Sequence, residues 1–256
     1  MRIDFGRRVF GVAALAIAAC NVARHDFNIW EQIQPLGNTP YRDIPVYVAA
    51  LLEIFGGLAI QWRRTAQAGA VALGVIYLLF TLLSVPAIIH DPLVYNSWGD
   101  FFEQLSLVAG AIIVYASFAP SDSAWARTVM RVGYYCFAVC VVSFTLEQLF
   151  YLGVTASFVP KWIPPGQMFW ALTTTLAFAL AAISLLTGRQ APLASKLLTL
   201  MLVLFGLLVW LPRLFINPHS QVNLAGNTEN LAVAGAAWIV ADFLERAGRS
   251  FFTQSE

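Results

Sequence analysis

The same marks occur twice along the chain, at positions that differ by 126 in residue number. The matched pairs are Pro86 and Pro212, Pro92 and Pro218, Glu103 and Glu229, and Arg63 and Arg189. Apolar helices resemble one another by chance, so matched leucines and alanines carry little weight, whereas matched prolines and a matched acid carry more. We therefore expect two copies of one structural unit, at residues 1–126 and 127–256.

Composition places both units in a membrane. The chain is 59% hydrophobic and 11% charged, whereas soluble domains carry about 25% charged residues. Its net charge of +1 excludes a nucleic-acid footprint. Eight apolar segments near the ~20 residues of a bilayer span predict an all-α polytopic protein with eight transmembrane helices. They lie at 7–24, 44–62, 66–89, 101–119, 129–152, 167–187, 192–212 and 227–245.

The positive charges predict the orientation of these segments. Eleven of the 15 lysines and arginines lie at the two termini or in alternate loops between them, so both termini should be cytoplasmic, in the cell's inner membrane. Each unit holds four helices, which makes the units parallel four-helix bundle repeats. Arg7 and Arg8 before an apolar run also fit a cleaved signal peptide. We expect a retained helix, because residues 129–152 form one at the matching place.

Glu53 lies near the middle of the second apolar segment. A carboxylate at that depth costs about 2.5–3.5 kcal/mol, so it should face the bundle interior. It either relays protons or binds the carbonyl of a quinone-like ligand, or it is a neutral acid that hydrogen-bonds a neighbouring helix. Ala179 stands at the matching place in the second unit.

Glu103 and Glu229 are the matched acids, and both are predicted in the first turn of their helices. There they either stabilise the positive end of the helix dipole, worth ~0.3–1 kcal/mol, or stand at the mouth of a cavity. In the second case Asn230 and Gln104, which follow them in sequence, add amide donors to the binding site.

Glu147 is predicted near the outer end of its helix, at the place that Asn21 holds in the first unit. It either lines a pocket together with Glu229 or is an interfacial acid close to water. The three histidines, which are His25, His90 and His219, lack the spacing of metal ligands on one helix. We therefore predict no metal site.

Short motifs in both units resemble the DoxX-like membrane proteins. In the second unit they are Trp162-Ile163-Pro164-Pro165, Gly188-Arg189, Leu211-Pro212-Arg213 and the run from Glu229 to Ala236. The first unit repeats them as the run from Leu52 to Gly57, Val85-Pro86 and Glu103-Gln104-Leu105. The resemblance covers nearly the whole chain.

This resemblance implies a four-helix bundle for each unit and a fusion of two such bundles. Members of the family have been linked to quinone-coupled sulfur oxidation and to membrane redox complexes. Many members carry a histidine before the proline of the third helix, where this chain has Trp210 and Ser84. The resemblance therefore gives no metal or haem role to that position.

Three functions fit these features. The first is an accessory subunit of a membrane redox system, which binds a quinone-like hydrophobic ligand while a partner protein brings the redox centre. The second is a structural or assembly subunit without a ligand. The third is a small-solute transporter with a buried acid near the midplane. The ligand-binding candidates are Glu53, Glu103, Glu147, Glu229 and Asn230, and no catalytic residue or enzymatic activity is assigned.

Overall fold

The computed structural model describes residues 5–27, 41–120, 123–247 and 251, and all regular secondary structure in these ranges is helical. The predicted all-α class is therefore confirmed. The helices are α1 (Phe5–Arg24), α2 (Asp43–Ala59), α3 (Ala66–Leu83), α4 (Val85–His90), α5 (Tyr95–Ala116), α6 (Ala124–Phe150), α7 (Leu152–Phe158), α8 (Gln167–Thr187), α9 (Ala191–Phe205), α10 (Leu211–Ile216) and α11 (Gln221–Ala247).

All eight predicted segments are helical, but only six helical stretches in the described ranges are long and apolar enough to cross a membrane. They are Phe5–Arg24, Ala66–His90, Tyr95–Ala116, Ala124–Phe150, Gln167–Thr187 and Ala191–Ile216. The predicted count of eight spans is not reached, for two physical reasons. Helix α2 has only 17 residues, and α11 carries a polar run at residues 227–230 and charged residues in its last turns.

Two helices begin six residues earlier than predicted. Helix α5 starts at Tyr95 instead of residue 101, and α11 starts at Gln221 instead of residue 227. Apolarity marks only the middle of such a helix, because its first turns are polar and resemble a loop in sequence. Glu103 and Glu229 each lie eight residues after the helix start, so their predicted position in the first turn was wrong.

A proline interrupts the helical stretch at the same place in each half. Pro86 follows the break at Ser84 between α3 and α4, and Pro212 follows a π-helical turn, Gly206–Trp210, between α9 and α10. Proline has no N–H to donate to the carbonyl four residues before it, so a helix must kink or widen there.

The long helices form a closed ring. Helices α1, α2, α3, α5, α6, α8, α9 and α11 pack in this order, and α11 returns to α1. Helices α5 and α11 also contact each other across the ring. They therefore lie together at its centre, with α1, α2 and α3 on one side and α6, α8 and α9 on the other. The order of packing within the ring is the same in both halves, while the division into units at residue 126 stays a prediction.

Small residues allow the closest helix contacts. A Cβ added at Gly57 of α2 would lie 2.7 Å from the carbonyl oxygen of Gly11 in α1. A Cβ added at Gly235 of α11 would lie 2.7 Å from the backbone of Phe10. Without these side chains the backbones approach closely, which is the usual way that helices associate in lipid.

Candidate functional site

A cavity of about 820 Å³ lies in the second half of the molecule. This volume is within the ~300–1,000 Å³ range of sites that bind small molecules and cofactors. Residues of α6, α7, α8, α9, α11 and the π-helical turn form most of its wall, and α5 contributes Asn96 and Glu103. The wall is largely apolar and aromatic, with Phe144, Phe178, Phe205 and Trp210 among its members.

Three carboxyl groups converge on this cavity from three helices. Glu103 comes from α5, Glu147 from α6 and Glu229 from α11. Each is only partly accessible, and Glu229 is close enough to the other two to interact with them electrostatically. We call these three residues the acid cluster. In a wall of low dielectric, neighbouring carboxylates repel one another strongly. This repulsion favours a bound proton or cation between them.

The helix packing explains how the acid cluster assembles. Glu103 and Glu229 occupy the same place on the two central helices, which run side by side. Glu147 reaches α5 because residue 99 is a glycine, where an added Cβ would lie 2.7 Å from the Glu147 carboxyl carbon. Any larger side chain at residue 99 would displace this carboxyl group.

Amides and hydroxyls add to the polar part of the wall. Asn230 Nδ2 donates a hydrogen bond of 3.0 Å to the carbonyl oxygen of Leu202, next to the π-helical turn. Gln148 Oε1 accepts hydrogen bonds from the hydroxyls of Thr174 and Thr175 at 3.2 Å and 3.1 Å. The first contact holds the widened turn of α9 against α11, and the other two join α6 to α8.

The cavity reaches the outer surface of the bundle beside α8 and α9. Leu197, Leu200 and Leu204 of α9 line it, and they are 56%, 53% and 43% exposed. Thr173 and Thr174 of α8 line the facing side. An apolar chain could therefore lie partly inside the cavity and partly on the outer surface of the protein.

Phe158 and Trp210 form another part of the cavity wall, and one arginine packs on them. The rings of Phe158 and Trp210 have centroids 5.5 Å apart, and the Arg213 guanidinium lies 4.2 Å from the centroid of Phe158. Gly226 leaves room for Trp210, because an added Cβ would lie 2.2 Å from that ring. The π-helical turn thus sets Trp210 in the wall where the first half has Ser84.

Glu53 does not belong to the cavity. It is completely buried in the first half, where its Oε2 accepts a hydrogen bond of 2.9 Å from Asn21 Nδ2. Among the residues that the structure describes, its other oxygen has no hydrogen-bond partner, and neither has the hydroxyl of the fully buried Tyr77. Of the five predicted ligand-binding residues, the structure therefore brings four together and leaves Glu53 apart.

The sequence interpretation missed Tyr77, Gln148 and the π-helical turn. A signal for Tyr77 existed, because it is the only tyrosine in the largely apolar α3, where a hydroxyl needs a partner. Among the described residues, no group of three or more His, Cys, Asp or Glu side chains is placed to hold a metal ion.

Comparisons of this chain with protein-family models, with curated proteins and with solved structures gave no match. The resemblance to DoxX-like proteins therefore stays a prediction.

Proposed function

We propose that this protein is an eight-helix membrane protein that binds a quinone-like amphipathic ligand in the cavity and serves a membrane redox system as an accessory subunit. The observation that carries the proposal is the acid cluster in the wall of a largely apolar cavity of about 820 Å³. One end of such a cavity suits a polar head group and the rest suits an apolar tail.

The chemistry of the wall suits a head group that exchanges protons. A quinone accepts hydrogen bonds, and a protonated carboxyl group donates one. The reduced quinol donates hydrogen bonds, and a carboxylate accepts them. Glu103, Glu147 and Glu229 can serve either state of the ligand, while an anionic head group would be repelled by them.

The apolar part of the ligand would leave the cavity between α8 and α9. Leu197, Leu200 and Leu204 form a continuous apolar strip there, because residues three and four apart share a helix face. In a membrane this strip faces lipid tails. A ligand dissolved in the bilayer could then enter sideways without crossing water.

The proposed topology extends the six apolar stretches by α2 and α11, with both termini in the cytoplasm. Helix α2 spans about 25 Å at 1.5 Å per residue, and its neighbours α1 and α3 run beside it. Epitope tags at each terminus test this orientation in intact cells. A tag that is accessible from outside the cell would contradict it.

The redox part of the proposal requires a partner protein, because the chain has no recognised cofactor motif. Purified protein in native lipid discs should contain extractable quinone. Decylubiquinone should quench the fluorescence of Trp170 and Trp210, which line the cavity, and the quenching should saturate. Absence of both signals would overturn the quinone proposal and favour an assembly subunit without a ligand.

One observation favours transport as a second candidate function. The helical stretch that contains α9 and α10 is interrupted by a π-helical turn beside the cavity, and transporters place their sites at discontinuous helices. Uptake of an amphipathic cation into proteoliposomes, lost in Glu229→Gln, would support transport. Uptake equal to that of protein-free liposomes would exclude this ligand class.

A further inference from the structure

Glu53 and Tyr77 form a second polar centre inside the first half. Both side chains are completely buried, and within the part of the chain that the structure describes Glu53 Oε1 and the Tyr77 hydroxyl have no hydrogen-bond partner. A buried polar group without a partner destabilises the folded protein. Two such groups in one bundle therefore need a reason.

The register of the helices puts these two groups side by side. A Cβ added at Gly56 of α2 would lie 2.6 Å from Cγ of Leu73 in α3, so residues 56 and 73 face each other. The two helices run in opposite directions. One turn further along, Glu53 therefore faces Tyr77, and the two interact electrostatically.

Tyr77 also lies toward the acid cluster. Its ring packs on Phe10, with centroids 5.9 Å apart, and the Phe10 backbone contacts α11 at Gly235. Glu229 is on the same helix, and it too lies within electrostatic reach of Tyr77. The tyrosine thus stands between Glu53 in the first half and a cavity-lining acid.

The other groups around Glu53 do not neutralise it. Among the described residues of α1, Asn21 donates its hydrogen bond to Glu53, and Cys20 interacts electrostatically with both Glu53 and Arg24. On α3 the only titratable group is Tyr77. No described basic side chain forms an ion pair with Glu53. The carboxyl group is therefore suited to hold a proton.

We propose that Glu53, a bound water and Tyr77 form a proton path that connects the first half with the acid cluster. A buried water is stable where at least two polar groups can hold it, and Glu53 Oε1 and the Tyr77 hydroxyl are two such groups. The Glu53 proton passes to the water, and the water gives a proton to the Tyr77 oxygen. The Tyr77 hydroxyl makes no direct hydrogen bond to Glu229, so Tyr77 gives its own proton through a second water to the Glu229 carboxylate. One proton moves in total, and no bond between heavier atoms changes.

The path requires no bound ligand, so it can be tested separately from the proposed function. Infrared spectra of the ligand-free protein in nanodiscs would be recorded after a switch from H₂O to D₂O. Loss of one carboxylic-acid carbonyl band in Glu53→Gln identifies the band of Glu53. Its deuterium shift reports how fast the proton leaves.

Tyr77→Phe removes the relaying hydroxyl and keeps the ring. We expect the shift of the Glu53 band to be slowed by about tenfold or more, and Glu229→Gln to slow it as well. The matched control is Tyr134→Phe, since Tyr134 is also fully buried but hydrogen-bonds the Leu185 carbonyl in the second half. Exchange in Tyr77→Phe as fast as in Tyr134→Phe, or the absence of a Glu53 carboxylic-acid band, would overturn the path.

Discussion

The two halves pack their helices in the same order, yet one is filled and the other is hollow. In the first half the rings of Phe27 and Phe80 pack edge to face with centroids 5.6 Å apart, and both are almost completely buried. The matching residues in the second half are Gly153 and Gly206. Two rings that fill one bundle are thus missing from the other.

Two further matched positions show the same difference. Glu53 and Tyr77 of the first half correspond to Ala179 and Val203 of the second. The polar groups of the first half are therefore enclosed by large side chains, and those of the second half face open space. Two bundles with the same helix order can therefore differ in whether they hold a cavity, because the volume of a few side chains differs.

Phe80→Ala should have the largest effect, because it removes a ring from the filled half. We expect the free energy of unfolding to fall by about 3–5 kcal/mol, measured by denaturation in mixed micelles. The control is Phe215→Ala, where the side chain is 80% exposed. Equal losses in both variants would mean that the first half is not tightly packed.

Ala177→Trp should fill the hollow half, since Ala177 lines the cavity. Overpacking costs about 1–3 kcal/mol, which lowers the affinity for decylubiquinone by up to about a hundredfold. Leu51→Trp is the matched control, at an exposed position of the first half. Fluorescence quenching measures both affinities, and a normal affinity in Ala177→Trp would place the ligand elsewhere.

Glu229→Gln should weaken decylubiquinone binding about tenfold, because an amide N–H is a weaker hydrogen-bond donor to the quinone carbonyl than a carboxylic-acid O–H. Glu53→Gln should change the affinity by less than about threefold, since Glu53 does not line the cavity. The same titration tests both variants. A similar loss in each would show that the enclosed centre contributes to ligand binding.

Arg213→Ala should have the smallest effect of the four. It removes the cation–π contact with Phe158, 4.2 Å from the ring centroid, and should lower the free energy of unfolding by about 1 kcal/mol. Lys161→Ala, in an exposed loop of the same half, should leave stability unchanged. If Arg213→Ala is also neutral, the contact does not stabilise this wall of the cavity.

Much of the helical framework could be predicted from apolarity, since all eight segments are helical. The rotation of each helix about its axis could not, because apolar residues surround helices that face lipid. The sequence therefore indicated Glu53 and Glu147 equally as ligand-binding residues, although only Glu147 lines the cavity. Glu103 belongs to the first half but lines the cavity of the second, because α5 is central and touches both halves.

The volume difference between the halves was within reach of the sequence. The offset of the matched prolines also pairs Phe80 with Gly206 and Tyr77 with Val203, and smaller residues on one side indicate space. The π-helical turn was not predictable, since Pro86 and Pro212 are matched and only the second is preceded by such a turn.

The opening of the cavity beside Leu197, Leu200 and Leu204 affects the choice of method for extracting the protein from the membrane. A detergent molecule also has a polar head group and an apolar tail. It can enter the cavity through the same lateral opening during extraction. In preparations solubilised in dodecylmaltoside, a detergent molecule would then compete with the proposed ligand for the cavity. Extraction in polymer discs that retain the surrounding bilayer would avoid this competition with detergent.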